Sequence, residues 1–125
     1  MTERSFDDSR SSSKTLDLDV LNDLRCLDTG SGPSIVQEMG VLFLTQIPVT
    51  LKEMEDLLHS QQFTQVKKIA HQLKSSSAGM GANRFSNLCE EIEMRGIESS
   101  FESLLKELIL EFEAVKPLLQ AETEK

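Results

Sequence analysis

Apolar residues recur every three or four positions through most of the chain, a spacing that predicts amphipathic helices. No segment alternates apolar and polar residues with a period of two, so we expect no β-sheet. Helices joined by short connections pack antiparallel. The pattern therefore predicts an all-α fold, an antiparallel up-down four-helix bundle with an additional short N-terminal helix. The predicted helices span approximately residues 15–27, 33–59, 64–79, 82–95 and 99–119.

Prolines and small residues place the ends of these helices. Pro48 lies inside the second predicted helix and removes one backbone donor, which predicts a kink or, alternatively, a break into two helices at Ile47. Pro117 predicts a disrupted last turn in the final helix. Ser31 and Gly32 are the candidate N-caps of the second helix.

The helices occupy one domain with a short tail on each side. Residues 1–14 are Ser-rich and charged, with too little apolar area to offset the entropy of ordering, so we expect a disordered tail. Residues 15–120 form the predicted bundle, and residues 121–125 are expected to fray. A chain of 125 residues is large enough to bury one core of its own.

Charge and composition exclude several classes of function. The formal net charge of −8 argues against nucleic acid as a partner, because binding to phosphates needs a basic face. No apolar run approaches the ~20 residues of a membrane span, and the first residues lack the apolar core of a secretory signal. Cys26 and Cys89 have no metal-type spacing. We therefore expect a cytoplasmic monomer with reduced thiols and with no membrane partner.

The third predicted helix carries a histidine outside its apolar stripe. At about 100° per residue, His71 lies roughly 140° from Val66 and is expected on the solvent side. Lys67, Lys74 and Ser75 are its neighbours one helical turn away. The arrangement predicts an accessible imidazole with ammonium groups that could meet an anion. The stripe itself consists of Val66, Ile69, Ala70 and Leu73.

This histidine lies in a segment of the sequence without acidic residues. The chain has 21 Asp and Glu against 13 Lys and Arg, yet no acid falls between Leu57 and Cys89. We interpret this gap as a surface that tolerates negative charge around His71. The glutamates of the next helix are predicted to point outward, namely Glu90, Glu91 and Glu93.

The residues around the histidine form a recognisable motif. The run His71-Gln-Leu-Lys-Ser-Ser-Ser, followed by Gly81-Ala82, resembles the signature H-x-L-K-G-S-S, with G-A a few residues later, of histidine-containing phosphotransfer (HPt) domains. In looser pattern the similarity covers roughly residues 18–119. One position departs from the signature, because Ser75 stands where the family usually has a glycine that leaves room beside the imidazole. Further matching positions follow on the next helix at Leu88, Cys89 and Ile92.

The resemblance implies a phosphorelay carrier with no kinase activity of its own. Such a domain accepts a phosphoryl group on its histidine, here His71, from the aspartyl phosphate of a receiver domain and passes it to an aspartate of another receiver. Beside the resemblance, the residues themselves indicate that Lys74, one turn after His71, can stabilise the phosphoryl charge electrostatically and that Lys67 can help more weakly. The resemblance also implies that the chain binds no cofactor and that the Mg²⁺ of the transfer belongs to the partner receiver.

The residues support this function independently, although two alternatives stay open. Neutral imidazole is a competent nucleophile near physiological pH, and phosphoryl transfer depends mainly on positioning and on charge stabilisation. Because of Ser75, the alternative is a non-catalytic adaptor that binds receiver or kinase domains without efficient transfer. A helical bundle unrelated to signalling would make the motif a coincidence. Ser76 and Ser77 are expected to bond to helix backbone and not to act as nucleophiles.

A docking face is predicted around His71, where its helix meets the N-terminal helix and the start of the long second helix. Receiver contacts are transient, so a small interface is expected. Exposed apolar residues on that face are the candidates, although each could equally belong to the core: Leu18, Leu21, Ile35 and Met39.

Overall fold

The computed structural model describes residues 14–28, 30, 32, 34–95 and 98–125. This part of the chain consists of five α-helices and contains no β-strand, which confirms the predicted all-α fold. The predicted disordered tail lies outside the described residues, except for Lys14. The helices are α1 Leu18–Arg25, α2 Ile35–His59, α3 Phe63–Gly79, α4 Asn83–Arg95 and α5 Glu98–Thr123.

Helices α2 to α5 form the bundle. Each packs against the next along the chain, and α5 returns to pack against α2, so that the four helices enclose one core. Three aromatic rings meet at its centre, with centroid distances of 6.2 to 6.4 Å between Phe43, Phe85 and Phe112. Burial of each ring contributes about 1.5–3 kcal/mol through the hydrophobic effect, to which the aromatic contacts add.

Helix α1 is shorter than predicted and covers one end of the bundle. Asp17 caps it by accepting a hydrogen bond from the backbone N–H of Asp19 at 3.0 Å. Leu21 is fully buried against the core. At the other end of α1, Arg25 donates to the carboxylate of Glu122 at 2.9 Å, which ties α1 to the last turn of α5.

The residues before α1 cross the turn between α3 and α4. The backbone N–H of Asp17 donates to the carbonyl of Gly81 at 2.7 Å, and the N–H of Arg84 donates to the carbonyl of Lys14 at 2.8 Å. This second bond satisfies one of the free donors at the start of α4. Gly81 has a φ of +81°, and a Cβ at this position would lie 2.6 Å from the carbonyl oxygen of Asp17. Both conditions require glycine here.

The beginning and the middle of α2 differ from the sequence predictions. Ser34 is the N-cap and accepts from the N–H of Gln37 at 3.0 Å; the predicted cap at Ser31 or Gly32 is wrong. Helix α2 is continuous through Pro48, so the alternative of a break at Ile47 is also wrong. Pro48 is exposed, and the helix is held on the core by buried residues on both sides of it.

The last helix is longer than predicted. It continues past Pro117 to Thr123, so Pro117 does not end it, and residues 121–123 are helical and not frayed. The reason is tertiary contact, because Leu119 is fully buried and Thr123 is nearly so. Thr123 packs on Gly40 of α2, where an added Cβ would lie 2.5 Å from its methyl group. This close approach between α2 and α5 depends on the missing side chain.

Candidate functional site

His71 lies on the solvent side of α3, as its position relative to the apolar stripe predicts. Its side chain is 63% exposed. The opposite side of the helix is buried in the bundle through Val66, Ala70, Leu73 and Ser77. The ring is therefore carried by a rigid, well-packed helix and remains accessible to a partner.

A glutamate from α4 reaches this histidine. One carboxylate oxygen of Glu93 lies 2.5 Å from Nδ1 of His71, and the other accepts a hydrogen bond from Nζ of Lys74 at 2.9 Å. The side chain of Glu93 is only 21% exposed, so the prediction that it points outward is wrong. The acid-free segment of the sequence does not give an acid-free site, because the neighbouring helix supplies the carboxylate.

The hydrogen bonds of Glu93 shift the pKa values of two of these three side chains, Glu93 and Lys74. The hydrogen bond from Lys74 is the main cause that lowers the pKa of Glu93; desolvation opposes it, and the hydrogen bond from His71 lowers this pKa further. The hydrogen bond to Glu93 raises the pKa of Lys74. An ionised carboxylate can only accept hydrogen bonds, so Nδ1 of His71 must donate. In the neutral ring the second nitrogen, Nε2, then carries the free lone pair.

Three serine hydroxyls near the site donate to the backbone of α3, and one of them comes from α4. The hydroxyl of Ser77 donates to the carbonyl of Leu73 at 2.6 Å, and that of Ser76 donates to Gln72 at 3.3 Å. The prediction that both serines bond to helix backbone is therefore confirmed. From α4, Ser86 donates to the carbonyl of Lys74 at 2.9 Å. This bond links the two helices two turns of α4 before Glu93.

The remaining predicted site residues lie on either side of the ring. Ser75 is exposed one turn after His71, at the position where the motif usually has glycine. Lys67 is half-buried, and its ammonium lies 6.0 Å from the ring centroid of Phe101, an arrangement typical of a cation–π contact. It therefore points partly away from the imidazole. A shallow open depression beside the ring is lined by Thr64, Lys67, Lys68, His71, Gln72 and Glu93.

Sequence reasoning missed Glu93 and Lys68. The positions of Glu93 and Ser86 on α4, seven residues apart, show that they share one face of that helix. Cys89, between them in the sequence, belongs to the predicted buried stripe. The spacing of Ser86, Cys89 and Glu93 could therefore have placed all three side chains on the face of α4 that packs on α3. Lys68 is three residues before His71 and is exposed beside the depression. Its spacing of one turn was available in the sequence.

Beneath the site, Cys89 is a packed thiol. It is fully buried, and burial raises its pKa to about 12, although the charge of Lys74 acts in the opposite direction. Within the described ranges, no group of three or more His, Cys, Asp or Glu side chains could hold a metal ion.

The candidate docking residues divide between surface and core. Leu18 on α1 and Met39 on α2 are exposed, at 47% and 43%, and Ile35 is half-buried. Leu21 is fully buried, so it is a core residue and cannot contact a partner. A groove between α2 and α3 adds Leu42 to this face. The apolar surface therefore lies on the other side of α3 from Glu93.

The fold and the site together define a class of helical bundle in which the third helix presents an exposed histidine that is held through Nδ1. Comparison with known families gives the narrower assignment. Residues 38–117 match the Hpt domain, and the chain belongs to this family. The predicted family is thus confirmed.

Two curated relatives are similar to the chain. Phosphorelay intermediate protein YPD1 of Candida albicans is 28% identical over 76 residues, which make up 61% of this chain and 39% of that protein. Histidine-containing phosphotransfer protein 2 of Arabidopsis thaliana is 29% identical over 108 residues, 82% of this chain and 69% of that protein. The chain therefore spans well under half of the first relative. No solved structure matches the chain significantly.

No helix among the described residues combines the length and the apolar character that crossing a bilayer requires.

Proposed function

We propose that this protein is a phosphorelay intermediate that accepts a phosphoryl group on His71 from the aspartyl phosphate of a receiver domain and passes it to an aspartate of another receiver. The observation that carries the proposal is the hydrogen bond between Nδ1 of His71 and Glu93, which leaves the lone pair on Nε2 of an exposed ring. Membership of the Hpt domain family and the names of the two relatives support the same role.

The proposed step is a direct displacement at phosphorus. The lone pair of Nε2 attacks, a P–N bond forms, and the bond between phosphorus and the aspartyl oxygen breaks, with its electron pair leaving on the aspartate carboxylate. Because Nδ1 keeps its hydrogen, the phosphorylated ring is cationic. The carboxylate of Glu93 lies against that charge and stabilises it electrostatically. Transfer to the second receiver is the same step in reverse.

Receiver domains are the proposed partners, and their Mg²⁺ would supply charge stabilisation from the receiver's side. We propose that they dock over His71 and the exposed apolar residues Leu18, Met39 and Leu42. A mixed apolar and polar surface of this kind suits a transient complex. The proposed role needs no catalytic machinery for ATP in this chain.

Phosphorylation by purified phosphorylated receiver domains tests the proposal. We expect acid-labile, alkali-stable label on the wild-type protein and none on His71→Gln, which should fold normally because the side chain is outside the core. His59→Gln is the matched control, since His59 is the chain's other histidine and is also exposed. Label that persists on His71→Gln would refute the assignment of the acceptor.

Ser75 provides the test of the adaptor alternative. If receivers bind the wild-type protein but transfer nothing, whereas Ser75→Gly accepts the phosphoryl group, the native chain is an adaptor whose site is hindered by the hydroxymethyl group. We expect instead that wild type is labelled and that Ser75→Gly is labelled at a similar or higher rate. Ser75 is exposed, so the substitution leaves the core unchanged.

A further inference from the structure

Lys74, the lysine of the family motif, already forms a hydrogen bond with a carboxylate of the protein. Nζ of Lys74 lies 2.9 Å from Glu93, which also accepts from His71. With a neutral imidazole, the carboxylate and the ammonium cancel, and the three side chains have no net charge. Positive charge for an incoming phosphoryl group must then come from elsewhere or at the expense of the Lys74–Glu93 pair.

The helical turn before His71 is the part of α3 that lies closest to the imidazole. Helical side chains lean toward the N-terminus, so the imidazole lies over the preceding turn of α3. That turn contributes Lys67 and Lys68, and both line the depression beside the ring. Ammonium groups of this turn are therefore available to a phosphoryl group on Nε2.

The two lysines of this turn are not equivalent. Lys67 is half-buried, with its ammonium over the ring of Phe101. Lys68 is exposed and has no carboxylate partner among the residues that the structure describes. Lys68 can therefore move to an anion without disturbing an existing contact in the described part of the chain, whereas the charge of Lys74 is partly neutralised by Glu93 and Lys67 lies over Phe101.

We infer that Lys68 binds the phosphoryl oxygens during transfer at His71 and is the principal mobile cation of the site. The inference rests on the proposed function, because it concerns the same phosphoryl group. Lys74 then acts mainly on Glu93, whose orientation toward Nδ1 it fixes through their hydrogen bond. The displacement at phosphorus is unchanged; Lys68 only neutralises charge on the non-bridging oxygens as the P–N bond forms.

Two phosphoryl donors of different size test this role. Phosphoramidate has no docking surface, and its reaction releases ammonia as the P–N bond to His71 forms; a phosphorylated receiver domain brings a whole protein surface. Uptake is measured with both donors for wild type, Lys68→Ala, Lys68→Arg and the control Lys106→Ala. Lys106 is exposed on α5, and its substitution by alanine removes the same charge as Lys68→Ala does.

With both donors, we expect Lys68→Ala to slow uptake about three- to fivefold, the effect of one solvent-exposed charge pair, and to weaken the dependence of the rate on salt. Lys68→Arg should recover most of the rate, and Lys106→Ala should match wild type. Thermal unfolding of all variants should be unchanged, because a structural role for Lys68 would alter it.

Other outcomes overturn the inference in distinguishable ways. Slow uptake from the receiver alone would assign Lys68 to the protein interface and not to the phosphoryl group. Wild-type rates with both donors would remove Lys68 from the site, although label on His71 would still support the proposed function. Failure of wild type to accept label from either donor would refute the proposed function and the role of Lys68 together.

Discussion

Glu93 lies 22 positions after His71 in the chain, yet its carboxylate is 2.5 Å from Nδ1 of the imidazole. The contact joins the third and fourth helices of the chain at the point where the ring is exposed. This contact distinguishes the two ring nitrogens, because Nδ1 is hydrogen-bonded to the protein and Nε2 is available to a partner.

Substitution of Glu93 should slow phosphoryl uptake without unfolding the protein. In Glu93→Gln the amide oxygen can still accept from Nδ1, but no negative charge faces the cationic phosphorylated ring. We expect a loss of about tenfold or more in the rate of uptake from phosphoramidate, by analogy with carboxylates that orient metal-binding histidines.

Glu90→Gln is the control for that variant. It removes the same charge from an exposed position on α4 that has no hydrogen bond to His71. Equal rates for Glu93→Gln and wild type would show that the hydrogen bond to Nδ1 has no part in the reaction. If Glu93→Gln and Glu90→Gln slowed uptake equally, the effect of Glu93 would be one of long-range charge and not of its hydrogen bond to Nδ1.

Gly81 and Gly79 should respond in opposite ways to alanine. Gly81→Ala forces an L-residue into a φ of +81° and places Cβ 2.6 Å from the carbonyl oxygen of Asp17, so we expect a loss of about 2 kcal/mol or more in the free energy of unfolding. Gly79 is helical and has open space at the Cβ position. Gly79→Ala should be neutral or stabilising by up to about 1 kcal/mol. Urea unfolding of the pair measures both, and equal effects would contradict the turn geometry.

The contact between Gly40 and Thr123 can be tested with a double-mutant cycle. Gly40→Ala brings Cβ to 2.5 Å from the methyl group of Thr123 and should destabilise by about 1–3 kcal/mol through overpacking. Thr123→Ser removes that methyl group but retains a hydroxyl that can bond to Gln120. The double variant should therefore recover most of the loss. Additive effects would indicate that α5 does not pack on α2 as far as Thr123.

The two cysteines should differ in their reaction with a thiol reagent. Only the thiolate reacts, and Cys89, whose pKa is raised to about 12 by burial, stays protonated throughout the range from pH 7 to 9. Cys26 is exposed. We expect one reactive thiol per native molecule and two after unfolding in urea. Cys26→Ser should leave none in the native protein, and reaction of a second thiol at pH 8 would show that the core opens beneath Lys74.

The sequence was sufficient for the class of fold and for the exposed position of His71, because both follow from the periodicity of apolar residues. It was insufficient where the end of a helix depends on packing against a helix that is distant in the sequence. Pro117 and the polar end of the chain indicate a disrupted last turn, whereas α5 continues because Thr123 packs on Gly40, some eighty residues away in sequence.

In the functional site, too, the sequence predicts positions within one helix but not contacts between helices. Spacing along α3 places Lys74 and Ser75 one turn from the histidine, as the structure also has them. The position of Glu93 depends on how α4 rotates against α3, which no pattern within either helix determines. A gap in the distribution of acidic residues along the sequence therefore did not describe the charge around the ring, since a packed helix brings in a carboxylate from outside the gap.

The family match starts at residue 38, whereas the stable folding unit must start well before it. A fragment trimmed to the match would lose Leu21 from the core, the backbone of Lys14 that bonds to the start of α4, and the ion pair from Arg25 to the last turn of α5. Since α4 carries Glu93, such trimming would loosen the helix that orients the imidazole. Boundaries for recombinant expression, and for grafting this unit into a fusion protein, should therefore include residue 14.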